Sequence, residues 1–206
     1  LLTTPAEEFQ PTYSHDGKEV AYIEERTSLK VLNIASKQTR TVLPADRQYS
    51  YADGDQWYQW SPDSKWFVLE FLNPDQWISQ VGIVGANGGE IINLTRSGYG
   101  GSRPEWALDG KAIFYFSSRD GMKSHASWGS QSDVYAVFLT KEAFDKYKLG
   151  KEEAALAKEA EEKKKEGEEG DKEKKDGRDK KKEKDEEKKE EVKPVVIDRD
   201  GLYDRR

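Results

Sequence analysis

Trp57-Tyr58-Gln59-Trp60-Ser61-Pro62-Asp63-Ser64-Lys65-Trp66-Phe67-Val68-Leu69-Glu70 decides the fold. Trp57, Tyr58 and Trp60 lead into Ser-Pro-Asp-Ser, and an apolar run follows at once. Pro62 fixes φ for a turn, and Asp63 is able to bond its carboxylate back to the backbone. The aromatic and β-branched residues after Lys65 favour a pleated, half-buried surface. The stretch therefore reads as a strand, a tight turn and a more buried second strand.

The same sentence occurs three times. Phe9-Gln10-Pro11-Thr12-Tyr13-Ser14-His15-Asp16-Gly17-Lys18 and Ser102-Arg103-Pro104-Glu105-Trp106-Ala107-Leu108-Asp109-Gly110-Lys111 align with it, each followed by an apolar run. Tyr13, Trp60 and Trp106 are spaced by 47 and then 46 residues, and so are Asp16, Asp63 and Asp109. Two landmarks keeping one period mark a repeat. Each unit continues alike. Leu29 to Ile34 and Gln38 to Leu43 read as third and fourth strands of the first unit. Ile78 to Val84 and Glu90 to Thr95 do the same in the second, and Asp133 to Leu139 reads as the third strand of the last. Four short strands per repeat predict an all-β chain of about three four-stranded antiparallel propeller blades. Leu2-Thr3 matches Leu94-Thr95, so the chain opens at the close of a preceding blade. Propellers use roughly 4–8 blades, and the sequence reads as a segment of a longer protein.

Composition changes abruptly after Thr140. Residues 151–193 hold 16 Lys/Arg and 18 Asp/Glu, so 34 of 43 positions are charged. Thr140 is placed to cap a short helix through Tyr147, and Lys151 to Lys165 is rich in helix formers. The rest cannot bury enough apolar surface to hold a fold. The division expected is blades over 1–140, a charged, helical-to-disordered insertion over 141–193, and a return strand over 194–206. Pro194 to Asp198 carries that return, and Leu202 to Arg206 reads as the start of a further strand.

Outside residues 151–193 there are 18 basic and 22 acidic residues. That slightly acidic balance argues against nucleic acid as a partner, since phosphate binding wants a basic face. No apolar run approaches the roughly 18 residues of a membrane span. The chain has no cysteine, which excludes disulfides, thiolate nucleophiles and cysteine metal sites.

The aromatic-Ser-Pro-Asp-Gly-Lys-apolar pattern resembles the propeller repeat of TolB-type proteins and tricorn-type proteases. Trp60 to Lys65 and Pro11 to Lys18 carry it, with Gly88-Gly89-Glu90 through Leu94-Thr95 and Ser117-Ser118-Arg119-Asp120-Gly121. Ser64 departs from its Gly, His15 from its Pro, and Ala107-Leu108 from its Ser-Pro. Val134 to Glu142, the Lys/Glu-rich run, and Lys193 to Leu202 together look like bacterial tricorn protease homologues. The resemblance implies a large serine peptidase acting on oligopeptides. Its propellers gate and channel peptides toward a PDZ-like module and a catalytic domain, with homo-oligomers among its members. It implies a cytoplasmic protein, with a periplasmic one left open. None of the family's catalytic motifs lies in this chain, so no catalytic, cofactor-binding or metal-ligating residue is assigned, and no cofactor is expected. The alternatives are a TolB-type protein-binding module and the propeller cap of a dipeptidyl-peptidase-like hydrolase.

The remaining candidates have bland readings. Asp16, Asp63 and Asp109 read as turn carboxylates on separate blades rather than an acid cluster. His15 reads as a solvated turn residue. His125 beside Ser127 or Ser130 suggests a base and nucleophile, but Trp128-Gly129-Ser130-Gln131-Ser132 lacks the second Gly and the strand-to-helix setting of a nucleophile elbow. Gly98-Tyr99-Gly100-Gly101 reads as an inter-blade loop, with no Gly-Lys-Ser/Thr behind it. Trp57, Trp60, Trp66, Trp77, Trp106 and Trp128 read as blade packing, with Trp77 or Trp128 as candidates for a peptide-contacting loop. The Lys clusters of the insertion are interleaved with acids, and it reads as a solvated spacer, with a tether or steric guard as the alternative.

Overall fold

Alternating apolar residues build strands where the repeat places them. The computed structural model describes residues 5–73, 75–123, 131–160 and 192–206. The first sheet holds β1 (Glu8–Tyr13), β2 (Glu19–Glu24), β3 (Ser28–Asn33) and β4 (Thr39–Leu43) in that order. The second holds β5 (Tyr58–Trp60), β6 (Trp66–Asn73), β7 (Ile78–Gly85) and β8 (Ile92–Asn93), again in sequence order. The third holds β9 (Gly101–Ala107), β10 (Ala112–Ser117) and β11 (Asp133–Phe138). Every pairing is antiparallel. These are three propeller blades. β1 and β9 each carry a bulge at the equivalent residue, Gln10 (φ +49°) and Arg103 (φ +48°). β8 is shorter than expected because the Asn93 carboxamide oxygen takes the N–H groups of Thr95 and Arg96, both at 3.0 Å, and turns the chain away.

Blades bury their two faces against each other. Ala21, Ile23, Leu29 and Val31 of the first meet Trp60, Phe67, Leu69 and Phe71 of the second, all nearly inaccessible. The opposite face of the second blade, Val68, Val81, Ile83 and Leu94, meets Ile113, Tyr115, Val137 and Leu139 of the third. The period-2 alternation of β6 thus serves two interfaces. The repeated aromatic ties the first strands together: Trp60 Nε1 donates to Thr12 O and Trp106 Nε1 to Gln59 O, each at 3.3 Å. Arg40 adds a second tie. Its guanidinium grips Glu19 bidentately at 2.6 Å while Nε donates to Ala86 O of the next blade at 2.9 Å. Gly88 (φ +81°) lies so close to β4 that a Cβ there would sit 3.0 Å from Thr41 O.

The structure differs from expectation after the insertion. Residues 194–198 form no strand ladder, leaving the third sheet with three strands. Pro194 has no N–H to give, and the Val195 N–H goes to the Asp63 carboxylate at 2.8 Å. The Asp198 N–H bonds Leu139 O at 2.8 Å and the Asp198 carboxylate accepts the Lys141 N–H at 3.1 Å, which ties the segment to the end of β11. Val195 and Ile197 still turn into the core while Val196 faces water. Leu202–Asp204 is a 3-10 turn rather than a strand, entered through Gly201 in the left-handed region (φ +62°) and anchored by buried Leu202.

The chain divides into two units, 1–141 with 192–206, and 142–191. In the second, α1 (Lys141–Lys148) begins at the boundary and 151–160 are helical. The Gly150 N–H is capped by Glu153 Oε2 at 3.1 Å. The spacer reading of 161–191, the Leu2-Thr3 match, and His125, Ser127, Trp128 and Ser130 lie outside the described residues.

Candidate functional site

The turn acids sit in equivalent corners of separate blades. Asp16 and Asp63 do the same work: each Oδ1 accepts the hydroxyl of Ser14 or Ser61, at 2.7 and 2.6 Å, and the N–H of Lys18 or Lys65 at 3.1 Å. The Ser14 hydroxyl, then the Lys18 N–H, holds the Asp16 carboxyl below its ordinary value. Asp109 departs from the pattern. Ala107 has no hydroxyl to recruit it, Leu108 (φ +51°) and Asp109 (φ +55°) are both left-handed, and backbone bonds to Ala107 O close the turn. Asp63→Ala is therefore expected to cost about 1–2 kcal/mol in denaturant titrations, and Asp109→Ala almost nothing. His15 is exposed, and Gly98 to Gly101 links β8 to β9.

Antiparallel order places the β2–β3, β4–β5, β6–β7 and β8–β9 connections at the opposite end of the strands from these corners. There the β4–β5 loop and the β6–β7 hairpin present Tyr49, Tyr51 and Trp77. Tyr49 packs edge-on against Tyr51 at 4.7 Å and against Trp77 at 5.5 Å between centroids. All three are exposed, by 46%, 87% and 66%. The loop beneath them is braced. Asp55 Oδ2 accepts the N–H of Tyr51 at 2.6 Å and of Ala52 at 3.1 Å, and buried Gln56 donates to Tyr49 O at 3.1 Å. Burial alone would raise the Asp55 carboxyl, but those N–H groups with Ser50 and Gln56 outweigh it and leave it lowered. Trp77 is left-handed (φ +51°), uncommon for a bulky residue. Its N–H bond to Asn73 O at 3.0 Å holds it there. Of the two tryptophans expected in a peptide-contacting loop, Trp77 lies at this surface. The tyrosines lie in a stretch without periodicity, and no motif in the sequence marks them.

Glu70 adjoins this surface from within. Its equivalents in the other blades are Ile23 and Phe116, yet its carboxylate sits between the second and third blades. Oε1 accepts the N–H of Arg103, freed by the β9 bulge, at 2.7 Å. The single proton of the Ser79 hydroxyl is shared between Gly101 O at 3.0 Å and Glu70 Oε2 at 3.4 Å. Burial pushes the carboxyl above its ordinary 4.5, against the lowering effect of Arg103 and Ser79. Between the unfolded and the raised folded value the native state holds more protons. Stability should therefore fall as pH rises through that window. Glu70→Gln should flatten this segment of the profile, checked by denaturation midpoints from about pH 4 to pH 7.

At the other end, a shallow depression of about 550 Å³ is lined by Lys141, Ile197, Asp198, Arg199, Asp200 and Arg205. Arg205 there is committed to backbone carbonyls. Among the described residues, no three His, Cys, Asp or Glu converge as metal ligands, and no helix is long and apolar enough to cross a membrane.

No family model and no curated protein matches this chain. Among solved structures, it is similar to the tricorn protease with a TM-score of 0.52 and 14% identity, over 68% of this chain and 14% of that one. TolB from Acinetobacter baumannii matches with a TM-score of 0.48 and 15% identity, over 68% of this chain and 32% of that one. One of two prolyl endopeptidases matches with 0.46 and 18%, over 64% and 20%. At such identity the likeness is one of fold, and the chain spans only 14% of the tricorn protease it matches. The three blades thus share the fold of a propeller segment of the tricorn protease, one of the two groups whose propeller repeat the turn motifs resemble.

Proposed function

We propose that this chain is a non-catalytic propeller segment of a larger serine-type peptidase, which admits and orients oligopeptides for a catalytic domain elsewhere in that protein. Further blades, the catalytic domain and other copies are its partners, and a cytoplasmic setting goes with the reading. The observation that carries it is the Tyr49–Tyr51–Trp77 surface. Three large rings lie open to water, two on the braced β4–β5 loop and one on the β6–β7 hairpin, and exposed apolar patches of this kind mark contact sites. Asp16 and Asp63 are each bonded into a turn and Glu70 into a blade junction, so these acids serve a rigid frame beneath the rings. Isothermal titration of blocked pentapeptides is expected to show binding without hydrolysis. Trp77→Ala should weaken that binding about fivefold, the share of one aromatic contact. Binding of folded proteins but of no peptide would favour the TolB-type module, and turnover by the chain itself would overturn the non-catalytic assignment.

A further inference from the structure

The end of the first two blades that carries the aromatic rings is also acidic. Glu7, Glu25, Asp46, Asp53, Asp55 and Asp75 are exposed there, against Arg26, Arg47 and Arg96, the last lying over the Tyr203 ring at 4.3 Å. Arg26 is neutralised by Asp53 at 2.8 Å. A cation approaching the rings therefore meets attraction from two sources, the carboxylates and the negative faces of the aromatic systems. Neighbouring residues show the second at work: Lys123 Nζ lies 4.1 Å from the Tyr99 ring centroid, and Cζ of Arg103 on β9 lies 6.0 Å from that of Trp57. The Tyr49 and Tyr51 rings meet nearly at right angles, with 70° between their planes. Tyr51 and Trp77 keep most of their surface in water, open to the aliphatic stem of a long side chain.

We propose that this surface selects peptide segments bearing lysine or arginine, the cation settling over the Tyr51 or Trp77 ring within the field of Asp46, Asp55 and Asp75. This rests on the peptide-orienting reading above and adds to it a preference of charge. The Asp55 carboxylate has a second duty, bracing the loop, so Asp46 and Asp75 are the acids on which the preference can be tested without disturbing the rings.

The test uses three blocked pentapeptides identical but for two positions, both Lys, both Gln or both Glu, titrated calorimetrically into the full chain at low salt. The lysine peptide is expected to bind about fivefold more tightly than the glutamine peptide, and the glutamate peptide most weakly. The lysine advantage should shrink by about half in Asp46→Asn/Asp75→Asn, and on raising salt to about 0.5 M. It should vanish in Trp77→Ala and in Tyr51→Ala, whose circular dichroism should match the parent. Equal binding of all three peptides, or tighter binding of the glutamate one, overturns the charge preference and leaves the peptide-orienting reading standing. Binding of none overturns both.

Discussion

Trp60→Ala is expected to destabilise the chain by about 3–5 kcal/mol, the range for removing a buried aromatic side chain. Trp60 is 5% exposed, its ring lies 4.0 Å from that of Phe67, and its indole N–H reaches Thr12 O of the neighbouring blade. Removing it opens a cavity in the junction of the first two blades and leaves that carbonyl without its indole donor. Trp60→Phe separates the two effects, since a ring remains while the N–H is lost. It should cost about 1 kcal/mol for the bond, with a further share for the smaller ring. The repeat supplies the control. Tyr13 occupies the same position in the first blade but is 70% exposed, and Tyr13→Ala should change stability by no more than about 0.5 kcal/mol. Guanidinium titration of the three variants is the measurement. Equal losses at Tyr13 and Trp60 would mean that the aromatic stabilises its own turn rather than the contact between blades.

That contrast shows where sequence reading succeeds and where it stops. The corner at Trp60 was legible because turn chemistry and strand alternation are local, and because a repeat tests each local reading twice more. The strands of the first two blades follow, as do the solvated His15 and the linker at Gly98. What escaped depends on contacts between distant segments. Residues 194–198 have strand composition, but whether they pair depends on who else claims their N–H groups, and Asp63 lies 132 positions away. Glu70 closes the very stretch that revealed the repeat. Its partner is an amide released by a bulge in the next blade, and no pattern in β6 announces it. Tyr49 and Tyr51 lie in a loop without periodicity, and their meeting with Trp77 is a product of the fold. Asp109 was grouped with Asp16 and Asp63 by spacing alone. The missing hydroxyl at Ala107, visible in the sequence, sets it apart.

The second large effect is expected at Arg205, which bonds the end of the third blade to the returning segment. Arg205 is 5% exposed. Its Nε donates to Phe138 O at 3.1 Å, Nη1 to Asp200 O at 2.6 Å, and Nη2 to Leu139 O at 3.3 Å and to Asp198 O. Its own carbonyl accepts the Phe138 N–H at 3.0 Å. The planar fork thus answers the carbonyls at the end of β11 and those of the returning segment together, which a strand would have paired one by one. Arg205→Ala removes a donor from the buried carbonyls of Phe138 and Leu139, the second of which keeps the Asp198 N–H, and from the part-buried carbonyls of Asp198 and Asp200. A buried carbonyl left unanswered costs about 1–3 kcal/mol. Water entering from the nearby surface offsets part of this, so the net loss should be about 3 kcal/mol. Arg205→Lys keeps the charge but not the geometry, because an ammonium cannot span the four acceptors, and it should recover less than half. Amide exchange gives the sharper readout. The N–H groups of Phe138 and Asp198 should lose protection in Arg205→Ala while those of Phe67 and Val68, buried in the second blade, keep theirs. Uniform loss across both blades would show that Arg205 supports the whole stack, and unchanged protection at Asp198 would show that Val195 and Ile197 hold the segment by packing alone.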